Sequence, residues 1–537
     1  MTCDIVLATH NARWIHTSFG LRSLRANLGG LRERSEILEF QLNDWPADVV
    51  EQLLAKQPRI VGLGVYVWNA TQALQVVRTL KQVAPNVIVV IGGPEVSHET
   101  EQQEICALAD HVVAGEADVL FRELCEQLLQ GESPAKFVAA KTPHYSELQS
   151  PYDEYTDADI AHRIIYVESS RGCPFTCEFC LSALDVPVRK PELDLFLDAM
   201  QRLLDRGVRH FKFVDRTFNL GIESSARILR FFRERWVEGM FLHFELIPDR
   251  LPEALRAEIA AIPAGGLQFE IGVQTLDDAT SERISRRQNV AKLEDNVRWL
   301  RANTAAHLHV DLIVGLPGED EASFARGFDQ LWALGPHEIQ VGILKRLRGT
   351  PIVRHDDEHA MAYAQQPPYD VLQTAAMPFA TIQRLKRFAR FWEIVANRGN
   401  WAETLPLLLQ GESAFVAFAE FSTWLFAQTA APTNIALVKL ARWLWQWLVE
   451  HREFDPALVG AAMMRDYTRC GRSDYPECLL PFAQPKSGDG RESGNGSDSG
   501  NGRDSGNGRD SGNGRDSGNG RESSGSIGAS RQARHGS

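Results

Sequence analysis

The sequence predicts an α/β protein that ends in a helical region and a polar tail. Two regions of the chain alternate runs of Val, Ile and Leu with amphipathic helical patterns, which is typical of parallel sheets covered by helices. A third region keeps the helical pattern but has no strand-like runs. The final region contains almost no apolar side chains.

The first alternating region, residues 1–135, predicts a doubly wound, Rossmann-like sheet. In such sheets the loops that follow the strands hold ligands. The predicted strands are Cys3–Thr9, Ser35–Phe40, Ile60–Val67, Val87–Gly92 and His111–Ala114. The loops expected to hold a ligand are Ala8–His16, Tyr66–Asn69, Gly92–Ser97 and Gly115–Asp118.

A loop-rich linker, residues 136–161, precedes the second alternating region, residues 162–350. Six strand–helix units in so short a span favour a partial (β/α)6 barrel over a complete eight-fold barrel. The predicted strands are Ile164–Glu168, Phe211–Asp215, Phe241–Leu246, Leu267–Val273, Leu308–Val314 and Glu338–Ile343.

Residues 351–485 are predicted to form an α-helical domain, and residues 486–537 a disordered tail. A hexad, Asp-Ser-Gly-Asn-Gly-Arg, repeats from Asp498 to Arg521. It offers no apolar surface whose burial would offset the entropy of ordering the chain.

Composition excludes several classes of protein. The formal net charge of −13 argues against a general nucleic-acid binder, which needs a basic surface. Eight cysteines in 537 residues are too few for a disulfide scaffold, so a cluster among them indicates chemistry. Charged residues interrupt the longest apolar stretches, and the N-terminus lacks a signal-peptide pattern. We therefore expect no membrane span and a cytoplasmic protein.

The sharpest motif is a Cys-x3-Cys-x2-Cys sequence directly after the first predicted barrel strand. It comprises Cys173, Cys177 and Cys180. Three thiolates on one loop can hold three irons of a [4Fe–4S] cluster and leave the fourth iron open to a substrate. Structural zinc is the alternative; it needs four ligands, and only the distant Cys470 and Cys478 could complete such a set.

This spacing, with the aromatic Phe179 before the last cysteine, resembles the radical S-adenosylmethionine (SAM) superfamily. The resemblance implies that the open iron chelates the methionine part of SAM and that the reduced cluster cleaves SAM to a 5′-deoxyadenosyl radical. Later segments also resemble the family: Phe244-Glu-Leu246, Glu270-Ile-Gly-Val-Gln-Thr275 and Asp311-Leu-Ile-Val-Gly-Leu-Pro-Gly-Glu319.

The resemblance implies that SAM meets residues at the carboxyl ends of successive barrel strands. The candidates are Phe179, Asp215, Glu245, Gln274 and Gly315. Two of them have alternative interpretations: Asp215 could form a local ion pair with Arg216, and Gly315 could simply form a turn.

Residues 1–135 resemble the cobalamin-binding domain that often precedes this barrel. Three loops carry the resemblance, within Gly64–Asn69, Ile91–Glu95 and Ala114–Asp118. The implied cobalamin contacts are Tyr66, Asn69, Gly92, Gly93, Pro94, Gly115 and Glu116.

One departure concerns the lower axial ligand of the cobalt. The Asp-x-His-x-x-Gly motif that supplies an axial histidine in methionine-synthase-like domains is absent from the sequence. His16 lies in the corresponding first loop at the wrong spacing, where it is either a ligand or a histidine at a helix start. A domain that has lost cobalamin and serves as a scaffold is also open.

The leading hypothesis is a cobalamin-dependent radical SAM enzyme that methylates an unactivated carbon. A radical oxidative cyclase or rearrangement enzyme without methyl transfer is the close alternative. A non-catalytic corrinoid and iron–sulfur sensor or scaffold is the second.

The sequence does not name the substrate, which we expect to be a small molecule or a peptide, and we expect no nucleic-acid partner. The helical region is expected to close over the barrel mouth. Lys345, Arg346 and Arg348 either meet an anionic substrate or lie solvated on the surface. A flavodoxin or ferredoxin is the expected reductant.

Overall fold

The computed structural model describes residues 3–185, 187–433, 435–472 and 474–483. Within these ranges it confirms an α/β protein with two parallel sheets and a helical C-terminal region. The tail predicted for residues 486–537 lies outside the described residues.

The first sheet is doubly wound, as predicted. Its parallel strands lie in the order β2-β1-β3-β4-β5-β6, so successive strands are added on one side of β1 and then, from β3 on, on the other. Apolar clusters cover both faces: Val6 and Ala8 belong to one, and Ile5 and Leu7 to the other. The six strands found in the described part are β1 (Ile5–Asn11), β2 (Ser35–Gln41), β3 (Ile60–Gly64), β4 (Ile88–Gly92), β5 (His111–Ala114) and β6 (Phe137–Ala139).

Strand β6 corrects the predicted linker. It pairs with β5 and so extends the first sheet into residues 136–161. Only three residues long and largely exposed, it offers neither a buried run nor a readable alternation. The rest of that segment includes the helix Asp157–His162.

The second sheet is open, as expected for a partial barrel. Its strands lie in the order β12-β11-β10-β9-β8-β7, all parallel, so β7 and β12 form the two edges. The six strands seen in the described chain are β7 (Ile165–Val167), β8 (His210–Phe213), β9 (Phe241–Leu246), β10 (Leu267–Gln274), β11 (His307–Val314) and β12 (Glu338–Ile343).

One face of this sheet is polar. Along β10, buried Leu267, Phe269, Ile271 and Val273 alternate with Gln268, Glu270, Gly272 and Gln274. Because successive side chains point to opposite faces, the apolar set packs under the helices and the polar set faces the barrel interior.

Helices connect the strands of both sheets. Those of the first are Phe19–Ala26, Pro46–Ala55, Ala70–Val83, Glu104–Leu108 and Asp118–Leu129. Those of the second are Leu193–Asp205, Ile222–Glu234, Glu253–Ala260, Asp278–Arg283, Val290–Asn303 and Glu321–Ala333.

The C-terminal region packs directly on the barrel. Phe328 of a barrel helix meets Phe388 and Trp392 with ring centroids 5.3 and 4.8 Å apart, inside one continuous apolar core. The helices of this region are Phe379–Trp392, Leu405–Leu408, Ala414–Thr429, Leu437–Trp445 and Pro456–Arg469, and π-helical turns Glu393–Asn397 and Gln446–His451 extend two of them.

The C-terminal region is helical, as predicted, and it also contains two short strands that the sequence analysis did not predict. Strands β13 (Ala362–Tyr363) and β14 (Val371–Gln373) form a small antiparallel pair, too short to give a sequence pattern. A side chain also covers the barrel edge: Asn397 Oδ1 accepts from the Ile339 amide at 3.2 Å, and its Nδ2 donates to the Ile339 carbonyl at 3.1 Å.

Among the described residues, no helix combines the length and the apolar character needed to cross a membrane.

Candidate functional site

The cysteine loop follows β7 and is closed at its base by the backbone. The Arg171 and Arg189 amides each donate to the other's carbonyl at 2.9 Å, and the Cys173 amide donates to the Asp185 carbonyl at 2.9 Å. Gly172 has φ +88°, and a Cβ there would lie 2.7 Å from the Asp185 carbonyl oxygen. Only glycine fits this close approach.

All three cysteines line one cavity of about 230 Å³ at the carboxyl ends of the barrel strands. Cys173 and Cys177 are buried, Cys180 is partly exposed, and all three are free thiols. Within the described ranges, no three His, Cys, Asp or Glu side chains are grouped to bind a single metal ion. A [4Fe–4S] cluster needs no such group, because each thiolate binds a different iron.

Three of the five residues predicted to face SAM line this cavity: Phe179, Glu245 and Gln274. Gln274 has φ +73°, and a Cβ on Gly272 would lie 2.5 Å from its Nε2. Burial raises the pKa of Glu245 to about 7, although Arg216 Nη1 donates to its Oε1 at 3.0 Å.

The other two, Asp215 and Gly315, are not among the residues that line the cavity. Buried Asp215 accepts from the Ser169 amide at 2.9 Å and from the Ser169 and Ser170 hydroxyls at 2.6 Å. It thus holds the segment that leads into the cysteine loop, and Arg216 pairs with Glu245 rather than with Asp215. Gly315, at φ +87°, lets Val371 approach, because a Cβ would lie 2.5 Å from Val371 Cγ1.

Sequence reasoning did not single out three charged side chains of this cavity, which are Glu270, Arg286 and Asp311. Arg216, which it weighed as an ion-pair partner of Asp215, lines the cavity too. Arg286 Nη1 donates to Cys177 Sγ at 3.6 Å. The polar alternation along β10 and β11 was a readable signal for Glu270 and Asp311. Arg286 lies in a loop between helices, and no spacing rule marks it.

A second missed residue, Glu178, anchors the cysteine loop from within. It is 1% exposed and accepts from Ser285 Oγ at 2.6 Å, Arg354 Nε at 2.6 Å and His355 Nε2 at 2.7 Å. The Ile352 amide donates to its carbonyl at 3.0 Å. The segment just after the barrel therefore fixes the loop that carries the cysteines.

In the first domain, Asn69 holds together the two loops where the strand order reverses. Its Oδ1 accepts from the Tyr66 amide at 2.8 Å, and its Nδ2 donates to Thr9 Oγ1 at 3.0 Å and the His10 carbonyl at 3.1 Å. The Tyr66 and Trp68 rings stack 4.4 Å apart, and Trp68 remains 46% exposed. Asn69 thus shapes this loop, and Trp68 presents an aromatic face that the sequence analysis did not single out.

The neighbouring loops come close enough to require glycine. Gly93 has φ +111°, and a Cβ there would lie 2.5 Å from the Val65 carbonyl oxygen. Pro94 begins a 3-10 turn directly after it, Gly92 ends β4, and Gly115 follows β5 with φ +86°. These residues give the sheet a compact carboxyl edge with accessible backbone.

Two predicted residues of this domain contact the barrel. Glu116 accepts from Arg189 Nη1 at 2.9 Å, and the pairs with Arg189 and Arg171 lower its pKa although burial opposes this. His16 Nδ1 and the Tyr166 hydroxyl share a hydrogen bond of 2.7 Å, and His16 forms a backbone bridge to Ile164. His16 is therefore engaged with β7 and its flank through its backbone and Nδ1, and its role as an axial ligand stays a prediction.

Comparison with known families agrees with this geometry. Residues 5–125 match the B12 binding domain family, and residues 167–331 match the radical SAM superfamily. The chain combines a B12-binding domain with a radical SAM domain. Residues 357–490 match a third family, described as a protein of unknown function (DUF4080), behind the radical SAM domain.

Individual curated proteins match the chain at low identity. The cobalamin-dependent radical SAM methyltransferase TokK of Streptomyces tokunonensis is 27% identical in an alignment 329 residues long that covers 54% of this chain and 47% of TokK. The 2-(S-pantetheinyl)-carbapenam-3-carboxylate methyltransferase of Streptantibioticus cattleyicolor is 25% identical in an alignment 350 residues long that covers 56% of this chain and 49% of that protein. The chain thus spans about half the length of these curated relatives.

Solved structures share the fold of the chain. The radical SAM methyltransferase TsrM of Kitasatospora setae, with cobalamin and a [4Fe–4S] cluster bound, gives a TM-score of 0.55 at 18% identity and covers 68% of this chain and 78% of TsrM. The cobalamin-dependent radical enzyme OxsB gives 0.59 at 14% identity and covers 87% of this chain and 80% of OxsB.

Proposed function

We propose that this protein is a cobalamin-dependent radical SAM enzyme that methylates an unactivated carbon. One observation carries the proposal: three free cysteines open onto a cavity at the barrel mouth, and loops of the B12-binding domain contact that cysteine loop. When bound, the cluster and SAM supply a 5′-deoxyadenosyl radical, and cobalamin supplies a transferable methyl group.

The cysteine loop suits a [4Fe–4S] cluster. Cys173, Cys177 and Cys180 supply three thiolates, and Arg286 donates a hydrogen bond to one of them. Hydrogen bonds to cluster sulfurs tune the reduction potential. Glu178 orients the loop through buried partners, so the thiols stay aimed at the cavity.

The cavity suits a ligand that carries both signs of charge, as SAM does. Glu245, Glu270 and Asp311 bring carboxylates to its wall, and Arg216 and Arg286 bring guanidinium groups. We assign the SAM contacts to Phe179, Glu245 and Gln274. Asp215 and Gly315 act instead by holding the surrounding loops.

The carboxyl edge of the B12-binding domain suits a large, partly apolar cofactor. Trp14 and Trp68 are 53% and 46% exposed on the loops after β1 and β3. We assign backbone contacts with cobalamin to Gly92, Gly93, Pro94 and Gly115, and the shape of the adjoining loop to Tyr66 and Asn69. Glu116 joins the two domains, and His16 bonds Tyr166 beside the first barrel strand.

Four expectations stay predictions: a small-molecule or peptide substrate, a flavodoxin or ferredoxin as reductant, the absence of a nucleic-acid partner and a cytoplasmic location.

Product analysis of SAM tests the proposal. The protein is reconstituted with iron and sulfide without oxygen and incubated with SAM, methylcobalamin and a strong reductant, and 5′-deoxyadenosine and S-adenosylhomocysteine are counted by mass spectrometry. Both products are expected, and both are lost in Cys177→Ala. Cys470→Ala is the matched control, because Cys470 lies far along the chain from the cysteine loop and contacts Asn400. We expect this variant to form both products.

The other outcomes separate the alternatives. Deoxyadenosine alone favours an oxidative cyclase or a rearrangement enzyme. Neither product from protein with full iron content, across candidate substrates, favours the sensor or scaffold and contradicts the proposal.

A further inference from the structure

The B12-binding domain contacts the barrel beyond both edge strands of the open sheet. After β7, Arg171 Nη1 donates to Asp118 at 2.9 Å and Arg189 Nη1 to Glu116 at 2.9 Å. We call these four residues the first bracket. Beyond β12, a comparable group of arginines meets two further carboxylates.

This second bracket joins Arg346, Arg348 and Tyr369 to Glu95 and Glu99. Arg348 Nε donates to Glu95 at 3.0 Å and its Nη1 to Glu99 at 3.1 Å, while Arg346 Nη1 donates to Glu99 at 3.2 Å. The Tyr369 hydroxyl donates to Glu95 at 2.5 Å. Arg346 and Arg348 are thus paired with carboxylates of the first domain, and neither lines the cavity that the cysteines share.

The second bracket is shielded from water. The side chains of Glu95 and Arg348 are 3% and 16% exposed, and the Arg348 guanidinium lies 5.0 Å from the centre of the Tyr369 ring. Charge pairs withdrawn from water interact more strongly than surface pairs and cost more to break. The contact is also tight: a Cβ on Gly349, whose φ is +82°, would collide with the His98 ring.

Each carboxylate of the second bracket lies in the loop that follows β4. That loop continues directly from Gly92, Gly93 and Pro94, the residues assigned to cobalamin. Tyr369 lies within residues 357–490, the segment that matches the family of unknown function. The C-terminal region therefore contacts the loop after β4 through the hydrogen bond from the Tyr369 hydroxyl to Glu95.

We propose that Arg346, Arg348 and Tyr369 are positioning residues that hold the β4 loop at the barrel mouth and so set the separation between cobalamin and the cysteine loop. The inference rests on the proposed function for its second half only. On this proposal the segment of unknown function orients one cofactor domain against the other.

Hydrogen–deuterium exchange of the cofactor-free protein tests the first half. In Arg348→Gln, amides of residues 92–103 are expected to exchange about tenfold faster, because local opening becomes easier. Tyr369→Phe, which removes only a hydroxyl, has a smaller effect in the same segment. In free energy of opening, the effect of the double variant is smaller than the sum of the two single effects, because the residues share one network.

Arg78→Gln is the matched control. Arg78 pairs with Glu104 at 2.8 Å on the surface of the same domain, away from the barrel. Exchange in residues 92–103 that is no faster in Arg348→Gln than in Arg78→Gln overturns the inference.

Electron paramagnetic resonance tests the second half on protein loaded with cob(II)alamin and the reduced cluster. Spin–spin coupling between the two centres reports their separation. The coupling is expected to be uniform in the native protein and to broaden in Arg348→Gln and Tyr369→Phe at unchanged cofactor content.

The outcomes keep the two proposals apart. If either signal is missing from the native protein, the proposed function fails. If both signals are present and the coupling is the same in all variants, the bracket does not set the separation and this inference fails.

Discussion

At the scale of a single residue, Arg286 places a positive charge beside the cysteines, because its Nη1 donates a hydrogen bond to Cys177 Sγ at 3.6 Å. Because a cation stabilises the more negative, reduced form of a cluster, Arg286→Gln should shift the midpoint potential of the reconstituted cluster by on the order of tens of millivolts to more negative values. A redox titration followed by paramagnetic resonance measures this. Arg298→Gln, on an exposed helix where Arg298 pairs with Glu294, should leave the potential unchanged.

The contribution of Glu319 to the free energy of unfolding depends on pH. Burial raises its pKa from 4.5 to about 8, and Thr275 Oγ1 donates to it at 2.6 Å. Because the folded state holds this proton more tightly, stability falls as pH rises from about 4.5 to about 8. Glu319→Gln should therefore raise the free energy of unfolding by on the order of a few kcal/mol at pH 9 and by little at pH 5.

Thermal unfolding of the cofactor-free variant at the two pH values measures that difference. An equal gain in melting temperature at both pH values would contradict the assignment of a raised pKa to Glu319.

At the scale of an element, the cysteine loop depends on its glycine. Gly172→Ala places a methyl group against the Asp185 carbonyl, so the base of the loop must open. We expect iron bound after reconstitution to fall severalfold while the far-ultraviolet circular dichroism stays native. Gly207→Ala is the control, because Gly207 also has a positive φ, +98°, but no atom lies within 4 Å of its Cβ position. Equal iron in both variants would refute this explanation.

The elements also show what the sequence can predict. Strands β9 and β12 match the prediction residue for residue, because both are bounded runs with a readable period. Strands β6, β13 and β14 were missed, because each has only two or three residues. The three cysteines were candidates from their spacing and their place after a predicted strand, and the structure brings all three to one cavity because they lie on one loop.

The direction of side chains at the strand ends could not be predicted from the sequence. Asp215 and Glu245 both follow or end barrel strands, yet one turns to Ser169 and the other to the cavity. Arg286 and Glu178 are positioned by segments far along the chain, so their roles depend on tertiary approach. The same holds for Arg348, whose partners lie in another domain.

At the scale of the whole molecule, the barrel and the C-terminal region act as one unit. They share a single apolar core, and Glu178, Ile339 and Glu95 each have partners after residue 350. A chain ending at residue 350 should therefore self-associate, as measured by size exclusion with light scattering. A chain ending at residue 483 keeps these contacts and should behave as the full chain does. A monomeric, folded chain of 350 residues would show that the two parts are independent.

The amide of Asn397 has a consequence for biosynthesis. By offering one acceptor and one donor to Ile339, it imitates a neighbouring strand and denies that edge to another chain. Strand β12 leaves the ribosome about fifty residues before Asn397, which at about 5–20 residues per second leaves its edge bare for several seconds. During that interval the edge of β12 is open to pairing with another chain.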